Sequence, residues 1–379
     1  MILLNLPTSF TPILTLFNVL IILLLFVLFV GSYRYPFKMT VNKRFIIRTL
    51  IFIFFIFSFF DGDWYHYYEG ISAMKLYGRN FELLTGYESI ELPFWFIAKF
   101  VNYNYILFRI IVWGAIFTLV FKTQKRLELD KNTFLISFVF ISMLLLSYSR
   151  VSLSMALAFY GYSFIVKPKT NSKLRSYIFG LLFIISSLFF HKSAIILLIT
   201  LPLSLLEIRK KTIFVAFIFF PILIYVIKTI GLEYVMSKSI DDKSIINIKT
   251  AHFYLNEDIM QRGIAMYIAN FLFYSVCYSI FLIIIRHIFS EKYYNLPKYI
   301  QNYQNVIFWI ILFSSVFLFT GTIQVFFYRL LNFSIIPISI FISYLLSNKI
   351  NYNLSRFIVC ISIIWTFYRV LYSFYLSTL

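Results

Sequence analysis

The sequence predicts an all-α, polytopic integral membrane protein: one transmembrane domain over residues 1–379 with about twelve transmembrane helices. Composition is the first observation, since 61% of the 379 residues are hydrophobic, 13% are charged, and the mean hydropathy is +0.86. Spacing is the second, because apolar runs of about twenty residues alternate with short charged clusters. About twenty helical residues cross a hydrocarbon core roughly 30 Å thick. This composition excludes an ordinary soluble domain.

The apolar runs place the predicted helices in chain order. The first run has no basic segment ahead of it, and the first cations, starting at Arg34, follow it. This order predicts an uncleaved helix whose N-terminus lies outside. The predicted spans cover roughly 10–32, 45–60, 103–121, 133–149, 151–166, 176–190, 194–208, 212–230, 263–285, 303–320, 329–347 and 357–377.

Charge sets the predicted orientation. The inner loops and their flanks hold 21 of the 34 cations and four of the 15 acids, a net charge of +17, against +2 for the rest of the chain. Short loops with an excess of Lys and Arg stay on the cytoplasmic side. The overall charge of +19 therefore indicates topology, and no nucleic-acid partner is expected.

Two outer loops, residues 61–102 and 231–262, are longer than the others and contain all eleven outer acids. The first loop is rich in Trp, Tyr and Phe, which favours short helices lying on the outer leaflet. The second is more polar and is open to interpretation as a lid. No internal repeat of fixed period is present, which argues against a transporter built from two related halves.

Cations near the outer helix ends are the first candidate binding residues. Several cations at one membrane depth suggest a shared anionic ligand, and phosphate matches the planar fork of Arg. Snorkelling to lipid head groups is the alternative, and it is favoured for Lys228, Arg109 and Arg369. The seven cations are Arg109, Arg150, Lys192, Lys228, Arg262, Arg329 and Arg369.

Arg150 is the exception among these cations. It lies in a tight predicted hairpin and is followed by the small residues Ser152 and Ser154, so we expect it to be drawn into the bundle to line a cavity. His191 and Lys192 occupy a matching outer turn. There a His can accept a proton or a hydrogen bond from a sugar hydroxyl, although a structural role at a helix end remains the alternative.

The beginning of the first outer loop is the candidate source of a carboxylate base. Asp61 and Asp63 precede His66, and a pair of acids near an apolar wall can act as a general base. The alternative for Asp63 is an N-cap of the helix that begins at Trp64. Trp64 and Tyr67 provide stacking faces for sugar rings, although an interfacial aromatic belt explains them equally.

Metal and cofactor chemistry has no support in the sequence. Cys277 and Cys360 both lie in apolar runs and are interpreted as buried packing residues. No nucleotide-binding loop, zinc-binding His pair or serine nucleophile elbow is present. We expect no metal site and no cofactor.

Four short segments resemble the EpsG-type branch of the bacterial O-antigen and polysaccharide polymerases, the Wzy proteins. They are DWYHY from Asp63 to Tyr67, SRVSLSMALAFY around Arg150, FFHKSAIILL around His191, and FYRLLNF around Arg329. The resemblance implies a GT-C-like helical bundle in the bacterial inner membrane, active on the periplasmic face. An undecaprenyl-pyrophosphate-linked glycan would be both donor and acceptor. Membrane lipids and a chain-length regulator protein would be further partners.

The same resemblance implies roles for the candidate residues. Arg150 and Arg329, with Lys192, would neutralise the leaving pyrophosphate, and Asp63 or His191 would take the acceptor's proton. Asp61, His66, Trp64, Tyr67 and Arg262 would contact substrate. The alternatives are a flippase or other transporter, a membrane acyltransferase, and another glycosyltransferase that uses a lipid-phosphate sugar. The outer placement of the charged residues argues against the first two.

Overall fold

The computed structural model describes residues 40–57, 92–142, 149–169, 172–191, 194–226, 264–289, 296–319, 330–350 and 357–364, with isolated positions between 16 and 26, between 68 and 76, and at 229, 353 and 355. Every secondary-structure element longer than one turn among these residues is an α-helix, which confirms the predicted all-α class for the described part of the chain.

Eleven helices are labelled here in chain order. They are α1 (Val41–Phe57), α2 (Leu92–Phe100), α3 (Tyr105–Leu127), α4 (Lys131–Ser142), α5 (Ser149–Val166), α6 (Lys173–Phe190), α7 (Ile195–Ser204), α8 (Lys210–Val226), α9 (Ile264–Phe289), α10 (Lys298–Phe319) and α11 (Ile335–Ser347).

Ten of the twelve predicted spans coincide with a labelled helix. The predicted first and last spans lie largely outside the described residues, which are helical at 19–24 and 357–364. Helix α2 confirms that the first outer loop contains a short helix. The second outer loop, residues 231–262, lies outside the described part.

Among the described residues, three helical segments are long and apolar enough to cross a membrane: Tyr105–Leu127, Lys173–Phe190 and Leu330–Ser347. The chain is therefore a membrane protein, while the number of twelve spans stays a prediction. The prediction of a span at 194–208 is wrong in extent, because α7 ends at Ser204, just after Pro202. Its ten residues rise about 15 Å, roughly half the hydrocarbon thickness.

The chain forms two compact units, Met1–Leu198 with Ile335–Leu379 (unit 1), and Ile199–Ser334 (unit 2). Helix α11 is the centre of unit 1. All but two of its residues are buried, and Ser343 shares a hydrogen bond of 3.2 Å with Thr133 of α4. Buried hydroxyls paired in this way hold helices together where the surroundings offer no water.

One end of unit 1 gathers cations and is called here the basic end. Arg44 of α1 donates to Asn132 at the start of α4, over 3.0 Å. Lys167 forms an ion pair of 2.8 Å with Glu128, next to the last turn of α3. The ends of helices that the charge count assigns to the inner side therefore lie together. The opposite end carries Arg150 and His191 and is called the site end.

Arg48 lies within α1, which begins at Val41. Its guanidinium lies 4.3 Å from the centre of the Phe121 ring. The face of an aromatic ring attracts a cation electrostatically, so the charge of Arg48 is stabilised there without an acidic partner.

Unit 2 contains α8, α9 and α10. Phe281 of α9 stacks on Phe308 of α10 at 5.4 Å, and the Tyr278 and Ser315 hydroxyls lie 2.9 Å apart. The Asn305 amide donates to the carbonyls of Ser204 and Leu206. These contacts join the helices of unit 2 through one aromatic pair and a few polar side chains.

The two cysteines differ in their surroundings. Cys277 is buried as predicted, but Cys360 is exposed, so its prediction as a buried packing residue is wrong. Cys360 belongs to a helical segment in which its neighbours Ile358 and Val359 are buried, while its own side chain is exposed. An apolar run cannot reveal which side chains face lipid, since lipid-facing and core-facing residues are equally apolar.

Candidate functional site

The candidate site is built on the antiparallel hairpin of α5 and α6. Both helices carry a glycine at the point of closest approach: a Cβ on Gly161 would lie 2.6 Å from the carbonyl oxygen of Gly180, and one on Gly180 would lie 2.8 Å from that of Gly161. Small residues allow membrane helices to pack at short range. The glycine pair thus sets the register of the hairpin.

A hydroxyl contact confirms this register nearer the site end. The Ser154 hydroxyl donates to the carbonyl oxygen of Ser187 over 2.8 Å. Seven residues separate Ser154 from Gly161, and seven separate Ser187 from Gly180, as two helical turns require. One further turn, four residues along each chain, leads to Arg150 and His191. The register therefore brings these two predicted residues to the same end of the hairpin, on neighbouring helices.

Arg150 is the second residue of α5 and is partly buried. The small residues that follow it, Ser152, Ser154 and Ala156, are buried, so the predicted close packing of this helix is confirmed. Free amides and the helix dipole at a helix N-terminus attract anions. An anion at this end would therefore meet the guanidinium and the start of α5 together.

His191 ends α6. Its backbone is extended, with φ −162° and ψ 123°, and its amide donates to the carbonyl oxygen of Ser187 over 3.2 Å. The side chain is 9% exposed. The same Ser187 carbonyl thus accepts from the backbone of His191 and from Ser154, which places His191 next to the helix contact.

An aromatic layer closes the site end beside His191. Phe94 of α2 is buried and contacts Phe190 with ring centres 5.5 Å apart at an angle of 89°. On its other side it lies 5.9 Å from Phe108 of α3. Helix α2 is therefore packed against the start of α3 and the end of α6, next to His191.

Arg109 corrects an expectation of the sequence analysis. Snorkelling predicts an exposed guanidinium, yet Arg109 is 5% exposed. It donates to the carbonyl oxygen of Phe55 over 2.6 Å and to the Tyr105 hydroxyl over 3.0 Å. Phe55 belongs to the last turn of α1, where carbonyls lack helical partners. Arg109 therefore caps α1. Tyr105 and Arg109 are four residues apart, and side chains at this spacing lie next to each other on a helix, so the sequence contained a signal for their hydrogen bond.

The remaining predicted site residues lie outside the described part of the chain: Asp61, Asp63, Trp64, His66, Tyr67, Lys192, Arg262 and Arg329. Tyr68 is described, and its ring contacts that of Tyr105 edge-on at 5.8 Å. Within the described residues, no three His, Cys, Asp or Glu side chains form a group that could hold a metal ion.

The arrangement at the site end supports two chemical tasks. A planar cation at the start of a helix can bind a diphosphate, because both oxygens of a phosphate can accept from one guanidinium. A buried imidazole one helix away can accept a proton from a hydroxyl. Two contacts of the hairpin were not predicted: the one between Gly161 and Gly180 and the one between Ser154 and Ser187. Their signal in the sequence is the matched spacing of these residues on the two sides of the turn that joins α5 to α6.

Comparison with known proteins agrees with the resemblance found in the four sequence motifs. No significant similarity was found to a curated protein or to a solved structure. The profile of the EpsG family matches residues 43–379, which include both helices of the hairpin, all of unit 2, and unit 1 from residue 43 onward. Since this match covers nearly the whole sequence, the chain belongs to the EpsG family.

Proposed function

We propose that this protein is a membrane glycosyltransferase that polymerises oligosaccharide repeat units carried on undecaprenyl pyrophosphate, as in O-antigen, capsule or exopolysaccharide synthesis. Membership of the EpsG family supports a polymerase-like membrane protein. The observation that carries the proposal is the α5–α6 register, because it brings Arg150 and His191, the proposed phosphate contact and the proposed proton acceptor, to one end of a hairpin.

The reaction joins two lipid-linked glycans. A hydroxyl oxygen of the acceptor attacks the anomeric carbon of the donor, and a glycosidic C–O bond forms. The bond between that carbon and the pyrophosphate oxygen breaks, and the electron pair leaves with the lipid pyrophosphate. The hydroxyl proton passes to a protein base. The chain must therefore stabilise a departing anion and accept one proton.

Arg150 is the proposed group for the departing anion. Its fork donates two parallel hydrogen bonds to pyrophosphate oxygens, and the N-terminus of α5 adds the field of the helix. Groups aimed at developing charge contribute on the order of 10²–10³ in rate when one donor is lost. Lys192, Arg262 and Arg329 remain expected further contacts on the sequence grounds given above.

His191 is the proposed base, with Asp63 as the alternative. His191 lies one turn beyond the Ser154–Ser187 contact, at the same end of the hairpin as Arg150. Asp63 follows α1, whose last turn Arg109 caps. Asp61, His66, Trp64 and Tyr67 remain proposed sugar contacts in the same segment of the chain.

The proposed location is the bacterial inner membrane, with the site end in the periplasm. The basic end of unit 1 gathers cations that the positive-inside rule assigns to the cytoplasm, and the hairpin residues lie at the other end. Lipid-linked repeat units displayed on the outer leaflet would then reach Arg150 and His191 without crossing the membrane.

Two experiments test the function. Deletion of the gene should abolish long surface glycan while one-repeat product remains; loss of all surface glycan would indicate a flippase. In the complemented strain, Arg150→Lys keeps the charge but loses the fork, so polymer should fall about 10²-fold or more, close to Arg150→Ala.

The matched control is Arg175→Lys, at the exposed start of α6 on the basic end. It should leave polymer length unchanged at equal membrane expression. Normal polymer from Arg150→Lys would contradict the pyrophosphate contact.

A further inference from the structure

Two arginines of α1 lie on one face of that helix, at the basic end of unit 1. Arg44 and Arg48 are four residues apart, and side chains at this spacing are neighbours on a helix. Both are partly buried. Ile47 and Ile51 on the same face are buried, so this face is turned toward the other helices. Two positive charges are thus held on adjacent turns, where they repel each other.

Helices α3 and α4 supply the surroundings of these arginines. Arg44 donates to the side-chain oxygen of Asn132 over 3.0 Å, and Arg48 lies 4.3 Å from the centre of the Phe121 ring. These four residues are called here the arginine notch. Side chains on a helix lean toward its N-terminus. Both arginines therefore extend toward the start of α1, which is where the basic end meets the membrane boundary.

The charge of the arginine notch is not neutralised by acids within the described residues. Neither arginine forms an ion pair there. The two acids between α3 and α4 are engaged elsewhere, since Glu128 pairs with Lys167 and Asp130 accepts from two amides at the start of α4. The chain that precedes α1 contains no acid, because the first acid of the whole sequence is Asp61.

Arg48 also lacks hydrogen-bond acceptors. Its Nε is buried without a partner, and its guanidinium makes no hydrogen bond to the described part of the chain. The Phe121 ring attracts the charge but does not replace the acceptors that the five N–H groups of an arginine have in water. An anion with several oxygens would satisfy both the charge and the donors, and phosphate matches the fork of Arg.

We propose that the arginine notch binds the phosphate of an anionic phospholipid from the surrounding bilayer. Arg44 and Arg48 donate to the phosphate oxygens, and the acyl chains lie along α1 beside Val41 and Phe45, which are each 70% exposed. Basic pockets between membrane helices bind anionic headgroups in this way. A zwitterionic headgroup fits less well, because the two arginines repel its ammonium group.

This lipid is distinct from the glycan-carrying substrate. The arginine notch lies at the basic end of unit 1, whereas Arg150, the proposed pyrophosphate contact, lies at the site end. The proposal therefore does not depend on the proposed reaction, and lipid binding can be measured without it.

Native mass spectrometry of the full chain in detergent tests the arginine notch. The probes are dioleoyl phosphatidylglycerol and dioleoyl phosphatidylcholine, titrated separately, and the measured quantity is the affinity for the first bound lipid. Phosphatidylglycerol should bind about tenfold more tightly or better, the effect of two cations near an anionic group. Arg44→Gln and Arg48→Gln should each weaken its binding about fivefold and leave phosphatidylcholine binding unchanged.

Lys122→Gln is the matched control. Lys122 follows Phe121 on α3 but is exposed, so this change removes the same charge from the same end of unit 1 outside the arginine notch. It should bind phosphatidylglycerol normally. Because Arg48 is partly buried, it is also replaced by Lys, which keeps the charge but loses the planar fork. The affinity of Arg48→Lys should lie between those of the native protein and Arg48→Gln.

Four results would overturn the proposal. They are equal affinity of the native protein for the two lipids, equal losses in Lys122→Gln and Arg48→Gln, native affinity in the variant that carries both glutamines, and displacement of phosphatidylglycerol by equimolar inorganic phosphate. The second result would mean that the basic end attracts anionic lipids through its overall charge. The last would assign the arginine notch to a free anion.

Discussion

Two arginines at the site end of unit 1 have different surroundings, and these determine what each can do. Arg109 is 5% exposed and donates to a helix carbonyl and a tyrosine hydroxyl. Arg150 is partly buried in the first turn of α5, at the end of the hairpin. The first guanidinium is committed to holding α1 on α3, while the second lies at the end of the hairpin and is proposed to bind the pyrophosphate.

Arg109→Met should destabilise the protein. The change leaves the Phe55 carbonyl buried without its donor, which costs about 1–3 kcal/mol. Arg109→Lys keeps the charge but cannot reach both acceptors with one fork, so its loss should be intermediate. Thermal unfolding of the purified protein in detergent measures the difference.

The control for Arg109 is Arg175→Met, because Arg175 is exposed and only approaches the Phe179 ring at 5.4 Å. Its effect should stay within about 0.5 kcal/mol, as is usual for surface changes. Equal melting temperatures for the two methionine variants would show that Arg109 does not cap α1.

At the scale of elements, the hairpin of α5 and α6 depends on two glycines. Gly161→Ala places a Cβ 2.6 Å from a backbone oxygen and 2.7 Å from the Cβ of Phe183, and neither atom can move without shifting a helix. Overpacking of this kind costs about 1–3 kcal/mol. Because the same register sets the positions of Arg150 and His191, polymer length should fall together with stability.

Gly114→Ala on α3 is the matched comparison. Its added Cβ would meet only the Phe52 ring, at 3.9 Å, which is ordinary contact. Alanine in a helix interior is favoured over glycine by about 1 kcal/mol. Gly114→Ala should therefore be neutral or stabilising, and a similar loss in both variants would mean that close helix approach is not the cause.

The end of α3 at the basic end carries a pH-dependent contact. Glu128 lies in the left-handed region at φ 58°, with its amide bonded back to α3. The hydrogen bond from Lys167, and then the attraction of its charge, lower the pKa of the exposed Glu128 carboxyl below 4.5. A lowered folded pKa means that the stabilisation is present above the ordinary pKa and is lost as pH falls through the folded value.

Glu128→Gln should therefore lower the melting temperature slightly at pH 7, and the difference from the native protein should shrink as pH falls through the folded pKa of Glu128 and vanish below it. The Lys167→Gln variant and the double variant complete the cycle. A pH-independent difference, or full additivity of the two changes, would contradict a coupling through this ion pair.

At the scale of the whole molecule, orientation is the testable property. Reporter fusions at Arg209 and Lys292 should report cytoplasm, and those at Glu82 and Asp241 should report periplasm, because the predicted inner segments carry +17 and the rest +2. A cytoplasmic signal at Glu82 would place Arg150 and His191 in the wrong compartment for lipid-linked glycan on the outer leaflet.

The sequence by itself determined the membrane class, the all-α fold and most helix positions. The physical reason is that a chain in lipid must satisfy its backbone hydrogen bonds internally, so a long apolar run is sufficient to predict a helix. Two predictions failed for other reasons: α7 ends at Ser204, just after Pro202, and hydropathy does not separate lipid-facing from buried positions such as Cys360.

Only the tertiary structure decided how the predicted site residues lie relative to one another. Arg150 and His191 are 41 positions apart, and the sequence placed them only in matching outer turns. The register that brings them to one end of the hairpin depends on the absence of a side chain at Gly161 and Gly180 and on the Ser154 contact. The tertiary structure likewise decided the role of Arg109, because its guanidinium caps α1 by donating to the carbonyl oxygen of Phe55, which is distant in the sequence.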